Sequence, residues 1–556
     1  MPSLRIGLAA ALLAALVGAL VGAASLWAVR GDRPPAVPGP AATVIPVAVA
    51  PARPASAPTT PAGPTYGALR TAPCPSPDRT APALPSPRCA ILTVPQNWDH
   101  TAGPVVARPA VAGPAVEVFV TVLPATGPGP QAEPVLVLTG GPGQAGSDEI
   151  GSAGTALKAM RARRDIILLD QRGTGRSVPS LRCPAMDPMR FWYGGLSPDD
   201  VLGCLGPVQA AGYRLEHFDT RQSALDVAAL RRALDIRSWN VVATSYGTIL
   251  AQELVRWDGD AIRTLVLNSP TTASSTWLDA DRLASVQRAF RIVVEDCASE
   301  TACARHFPSL AGAVPRIAKA LSAKPLALRV RDPRNGRETE LRLGWPVIAG
   351  TLAFHLGSGA EMVRVPAMLD YLDKVSAGRR EADARLLTDI LAPEPFWQIF
   401  DHLAYGLNLV VGCRENRPRI DARAARAAGA VYYPQVVADS IETDYDVACP
   451  VLQLPPADPA FYRPVATNTP TLILTGVYDT LSPTARSDTL AATLGDAKVV
   501  RFRGLGHDVL STSSCAAALA ARFVESAGAD APQDCAERFL PPPFHTTLVG
   551  GGAPTQ

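Results

Sequence analysis

The sequence predicts an α/β fold: a mostly parallel sheet with helices on both faces, and a largely helical segment inserted between two halves of that sheet. Short β-rich apolar runs alternate with helical stretches, the arrangement expected of parallel strands joined by crossover helices. The alternation lapses between about residues 273 and 458 and then resumes. With 556 residues, 47% hydrophobic and 18% charged, the chain can bury a large core, which excludes disordered and fibrous classes.

Residues 1–30 carry Arg5 and then the uncharged stretch "IGLAAALLAALVGALVGAASLWAV" up to Arg30, which reads as an export signal. Gly22-Ala23-Ala24 offers small residues for cleavage. Residues 6–29 are also long enough to remain as a membrane anchor, and only then is a membrane a partner. No cysteine lies near that point for lipid attachment. Residues 31–66 are rich in Pro, Ala and Thr without apolar periodicity and read as a tether.

The first half of the sheet domain is placed at residues 67–272, with strands in "VEVFVTVL" (116–123), "PVLVL" (134–138), "DIILL" (165–169), "WNVVA" (239–243) and "IRTLVLN" (262–268). Between the third and fourth, Asp219 or Thr220 can cap a helix whose Ala224, Val227, Leu230 and Leu234 share one face. Residues 273–458 hold amphipathic stretches such as "WLDADRLASVQRAFRIVVEDC" and "EMVRVPAMLDYLDKV", expected to form a helical cap. The second half, 459–545, adds strands in "PTLIL" (470–474) and "AKVVRF" (497–502), and 546–556 is a tail.

The formal net charge is +2 with Lys and Arg scattered among acids, which gives no electrostatic footprint for nucleic acid. Ten cysteines follow the signal, an even number in an exported chain, and point to disulfides in a periplasmic or secreted protein. Neighbours in sequence order would form five pairs, although spacing leaves the pairing open. There is no C-x-x-C or H-E-x-x-H and the seven histidines are dispersed, so no metal site is expected.

"NVVATSYGTILAQELV" runs from a strand through a sharp turn into a helix, with Ser245 at the turn and Ala243 and Gly247 two positions either side. This is a nucleophile turn of the G-x-S-x-G kind with alanine for the first glycine, and it aims the Tyr246 N–H at whatever Ser245 attacks. A serine hydroxyl needs a base to take its proton, and the base needs an acid to orient it. "TLILTGVYDTLSP" puts Asp479 just after one strand, and "VVRFRGLGHDVL" puts His507 just after the next, both at the sheet edge that carries Ser245. Asp508 and Asp488 are the nearby alternatives and are expected at the surface; His100, His217, His306, His355, His402 and His545 lack the strand-then-glycine setting.

"TGGPGQAG" (139–146) satisfies G-x-G-x-x-G, and Asp170 stands where a dinucleotide site keeps its ribose-binding acid. Pro142, however, has no N–H to offer a pyrophosphate. In "DQRGTGRS", Asp170 and Arg172 are expected to pair and shape the loops.

Taken together, "GGPGQAG", "DQRGTGRS", "SYGT", "GVYDTLSP" and "GLGH" resemble the exported serine exopeptidases of the prolyl aminopeptidase and tripeptidyl aminopeptidase type, in the α/β-hydrolase superfamily. The resemblance covers roughly Cys74 to Phe539, including "CAILTVPQNWD" and a cysteine-bearing C-terminal region of the tripeptidyl type. It implies hydrolysis of peptides from a free N-terminus through an acyl-enzyme on Ser245, without a cofactor. It also gives the glycine loop a role: the N–H of Gly141, or else of Gly140, joins Tyr246 as an oxyanion donor. The family usually shows glycine where Ala243 and Thr244 stand here. Acids of the cap meet the substrate ammonium in this family, and Glu415 in "VVGCRENRP" resembles the corresponding C-x-D stretch; a solvated surface carboxylate is the competing reading. A carboxylesterase using the same Ser245, Asp479 and His507 is the alternative function.

Overall fold

The computed structural model describes residues 66–75, 87–100, 113–127, 133–151, 156–186, 196–277, 279–331, 336, 338–358, 361–391, 402–421, 423, 444–531, 533–539 and 541–548. The expected signal or anchor, nearly all of the tether, and most of the tail lie outside them.

Nine strands form the main sheet: β1 (Leu69–Ala72), β2 (Arg88–Val94), β3 (Val116–Leu123), β4 (Val135–Leu138), β5 (Ile166–Asp170), β6 (Trp239–Thr244), β7 (Ile262–Asn268), β10 (Thr471–Gly476) and β11 (Ala497–Phe502). A separate antiparallel hairpin pairs β8 (Leu326–Arg331) with β9 (Glu338–Leu343). The main sheet runs β1-β2-β3-β5-β4-β6-β7-β10-β11. From β5 to β11 every pairing is parallel, whereas β1, β2 and β3 add an antiparallel edge. Central strands such as β5 and β10 are buried at every position, as expected for a sheet covered on both faces.

The chain leaves β4 for β5 on one side and returns to β6 on the other. The loops after β4 and β6 therefore flank a topological switch point, where open α/β sheets bind ligands. The glycine loop follows β4 and Ser245 follows β6.

Helix Thr220–Ala233 is capped by Asp219, whose carboxylate accepts the Gln222 N–H, and it buries Ala224, Val227 and Leu230. In the inserted segment, helix Ala280–Ser299 starts from an Asp279 cap, and helices Trp345–Gly357 and Val365–Ser376 pack beside it. The β8–β9 hairpin there is the non-helical part of a cap expected to be largely helical. Its period-2 pattern is nonetheless present: Leu328, Val330, Leu341 and Leu343 point inward while Arg329, Arg331, Glu338 and Glu340 face solvent.

The cysteines pair as sequence neighbours: Cys74–Cys89, Cys183–Cys204, Cys297–Cys303, Cys413–Cys449 and Cys515–Cys535. Five disulfides fit an oxidising compartment. Among the described residues, no helix is long and apolar enough to cross a membrane and no cluster of potential metal ligands occurs.

Candidate active site

Ser245 caps helix Tyr246–Asp258 with φ 55 and ψ −124, a conformation that non-glycine residues rarely adopt. Strand and helix approach so closely here that a Cβ on Gly247 would lie 2.3 Å from the Leu138 carbonyl oxygen, which explains the glycine at that position. The Ser245 N–H donates to the Asn268 carbonyl at 3.0 Å. Tyr246 is the first residue of the helix, so its N–H has no intrahelical acceptor and is available to a ligand.

Asp479 and His507 come together as the sequence predicts. Nδ1 of His507 lies 2.8 Å from Oδ2 of Asp479, and both side chains are fully buried. The other carboxylate oxygen, Oδ1, accepts the N–H groups of Leu481 and Ser482 at 2.8 and 2.7 Å. That pair of bonds fixes the carboxylate plane and leaves Oδ2 for the imidazole. Nε2 of His507 is buried with no hydrogen-bond partner among the described residues, so the nitrogen facing away from Asp479 is open. Apo enzymes commonly leave the serine–histidine contact unmade until substrate enters.

The inserted segment touches this pair through main chain. Ser285 Oγ donates to the Asp479 carbonyl at 2.6 Å, Thr480 Oγ1 to that of Ala353 at 2.9 Å, and the His507 N–H to that of Gly357 at 2.5 Å.

On the glycine loop, Gly140 abuts the nucleophile: a Cβ there would stand 3.1 Å from Ser245 Cβ. The Gly140 N–H is engaged by Gln144 Oε1 at 3.2 Å. Gly141 has φ +107, a region that L side chains avoid, and precedes a cis bond to Pro142. Cap residues grip the loop: Ala404 N–H donates to the Gly143 carbonyl at 2.9 Å, and Asn408 Nδ2 to that of Pro142 at 3.5 Å.

Three expectations are corrected. Asp170 and Arg172 do not pair. Asp170 accepts from Ser147 N–H and Oγ and from Arg176 N–H, joining the two glycine-rich loops, and burial pushes its carboxyl up to about 6. Arg172 instead makes a bidentate pair with buried Asp226 at 2.7 and 2.6 Å. Asp508 is not at the surface: it is buried in a left-handed conformation, caps helix Val509–Thr512, and accepts from Asn268 Nδ2 at 2.6 Å. Asp488 does lie exposed in helix Thr484–Ala491, as expected.

Nor is Glu415 a solvated carboxylate. It sits in a π-helical turn, Gly412–Asn416, at 4% exposure. Its oxygens accept from Thr220 N–H at 2.8 Å and Thr220 Oγ1 at 2.7 Å, and Thr220 Oγ1 lies 2.6 Å from the phenolic oxygen of Tyr246. Thr220 has one hydroxyl proton. When that proton goes to Glu415, Tyr246 must donate to Thr220, so a single chain of hydrogen bonds links Glu415 to the residue after Ser245. Burial, with Asp219 adding like charge, pushes the Glu415 carboxyl up to about 8. Burial first, then Glu415, raises the Tyr246 phenol well above its ordinary value. From sequence, Thr220 stands out only as a helix cap and Tyr246 only for its backbone.

A family model described as alpha/beta hydrolase fold matches residues 133–513, more than half of the chain, and the chain belongs to that family. It is 27% identical over 183 residues to the putative hydrolase YuaR of Escherichia coli K12, covering 32% of this chain and 35% of that protein. With serine protease Hip1 of Mycobacterium tuberculosis it shares 24% identity over 231 residues, covering 39% of this chain and 42% of that one. The chain thus spans well under half the length of these curated relatives. Among solved structures, a proline iminopeptidase of Mycobacterium smegmatis aligns over 74% of this chain and 96% of its own with a TM-score of 0.34 and 17% identity. An esterase of Exiguobacterium antarcticum covers the same shares with a TM-score of 0.31 and 12% identity.

Proposed function

We propose that this α/β hydrolase is an exported serine peptidase that releases residues from the free N-terminus of peptides. The observation that carries the reading is the buried His507–Asp479 pair at 2.8 Å, at the same sheet edge as a serine in a strained strand–turn–helix. Ser245 Oγ attacks the scissile carbonyl and passes its proton to His507 Nε2. His507 later hands it to the leaving amine, and Asp479 holds the imidazole and offsets its positive charge. The N–H groups of Tyr246 and Gly141 hold the oxyanion; Gly141 is preferred over Gly140 because Gln144 already engages the latter. Water then cleaves the acyl-enzyme.

Glu415 supports the exopeptidase reading. A carboxyl that burial and the like charge of Asp219 push up, with Arg414 offsetting only part of the shift, favours a cation that would restore its charge, and the substrate's terminal ammonium is such a cation. The five disulfides support a periplasmic or secreted setting.

A fluorophosphonate probe is expected to add its mass to Ser245, and folded protein left unlabelled would exclude the mechanism. Peptide amides with free N-termini are expected to be cleaved much faster than their N-blocked counterparts; cleavage of esters with no activity on either amide would assign a carboxylesterase instead.

A further inference from the structure

Asn268, the last residue of β7, is fully buried, and its main-chain carbonyl and both ends of its side-chain amide are hydrogen-bonded. Its carbonyl oxygen accepts the Ser245 N–H at 3.0 Å. Its Nδ2 donates to Thr244 Oγ1 at 3.1 Å and to Asp508 Oδ1 at 2.6 Å. Its Oδ1 accepts the Leu510 N–H at 3.2 Å. The amide orientation follows from these partners, since Leu510 N–H needs an acceptor and the Asp508 oxygen is best met by a donor. Thr244 immediately precedes Ser245, and Asp508 immediately follows His507. One side-chain amide therefore bridges the residues that flank the nucleophile and the base, although these loops lie far apart in sequence.

The next residue extends the same tie. Ser269, at φ 48, donates its N–H to the Leu474 carbonyl of β10 at 2.8 Å, and its Oγ accepts the Asp508 N–H at 3.0 Å. The end of β7 is thus bonded to the strand that leads to Asp479, to the turn that holds Ser245 and to the loop that holds His507.

We propose that Asn268 is a positioning residue that fixes the Ser245 turn relative to the His507 loop, holding Oγ and Nε2 within reach of each other for proton transfer. The proposal rests on Ser245 and His507 being nucleophile and base. A clamp of this kind acts on turnover rather than on substrate affinity, because displacements of about 1 Å at reacting atoms cost rates of order 100-fold.

The test exchanges the polarity of the clamp. In Asn268→Asp the donor is lost and the introduced carboxylate faces Asp508. In the double variant Asn268→Asp/Asp508→Asn, the amide introduced at position 508 can donate to the carboxylate introduced at position 268. That carboxylate still accepts the Leu510 N–H and can accept from Thr244 Oγ1. Fluorophosphonate labelling rates, kcat and KM are measured for wild type and both variants, with thermal unfolding alongside. Asn268→Asp is expected to slow labelling and kcat by about 10- to 100-fold with KM changed by less than about threefold, and the double variant to recover most of the lost rate. If the single variant does not fold, the double variant carries the test by the same criterion of near-wild-type rate. Labelling by folded Asn268→Asp at the wild-type rate would overturn the proposal, as would a double variant with wild-type unfolding temperature but no recovered rate. Failure of the wild type to label at Ser245 would instead overturn the underlying assignment of the nucleophile.

Discussion

Asp479 and Glu415, two of the buried carboxyls of the candidate site, have the same chemistry in opposite settings. Asp479 receives two backbone N–H groups and an imidazole, all donors. Glu415 receives one N–H and one hydroxyl, has Asp219 nearby, and is pushed up to about 8 by burial. The first is supplied with its partners by the fold. The second has its nearest cation, Arg414, shared with Asp219, and its pKa stays raised, which suits the proposed role of meeting an incoming ammonium. The sheet provides the first kind of environment through rigid strand-end loops, and the inserted segment provides the second.

The largest effect should come from the supplied site. Asp479→Asn keeps the shape but leaves the imidazole without its anionic partner, and kcat is expected to fall about 10⁴-fold with little change in KM, read by steady-state kinetics on any cleaved substrate. Glu415→Gln should act differently: kcat/KM for peptides with a free N-terminus falls by about 30- to 100-fold while N-blocked or ester substrates are untouched, and an equal loss on both would erase the contrast between the two acids. With wild-type enzyme, the preference for free over blocked substrate should weaken as pH drops below about 8, since Glu415 must then release a proton to receive an ammonium. Taking the ratio cancels any pH effect common to both substrates.

The smallest effect is on stability. Glu415 titrates near 8 when folded and near its ordinary 4.5 when unfolded. Between those values the unfolded chain has lost a proton that the folded chain keeps, so stability falls as pH rises from 4.5 to 8. Glu415→Gln removes that loss, and its melting temperature relative to wild type should be higher at pH 8 than at pH 5 by about 2–4 °C, measured by calorimetry. An equal difference at both pH values would mean that the carboxyl ionises without penalty.

Strands flanked by turn residues are legible in the sequence because short runs dominated by apolar and β-branched residues stand out between them: β3, β7 and β11 fall on the quoted segments at both ends. The disulfide pairing is legible in part, because short loops between neighbours are easily closed. The β8–β9 hairpin escapes such a reading because its alternation is short and lies among helices. Asp508 is misplaced by it because adjacency to His507 says nothing about burial, and its partner Asn268 is 240 residues away. Arg172 finds Asp226 rather than Asp170 for the same reason: sequence distance does not rank partners in a folded core. Asn268 leaves only a faint trace, a polar residue ending the apolar run "IRTLVLN".

The glycine loop that imitates a nucleotide fingerprint is held at Gly143 by Ala404 and at Pro142 by Asn408, both from the inserted segment. A Cβ at Gly143 would come within 2.6 Å of the Ala404 carbonyl oxygen. Anyone redesigning that segment to admit a different substrate would therefore also be moving the loop that carries Gly141, the proposed oxyanion donor. On the proposed mechanism, selectivity and speed are coupled in this molecule through residues 404 and 408 and the loop they hold.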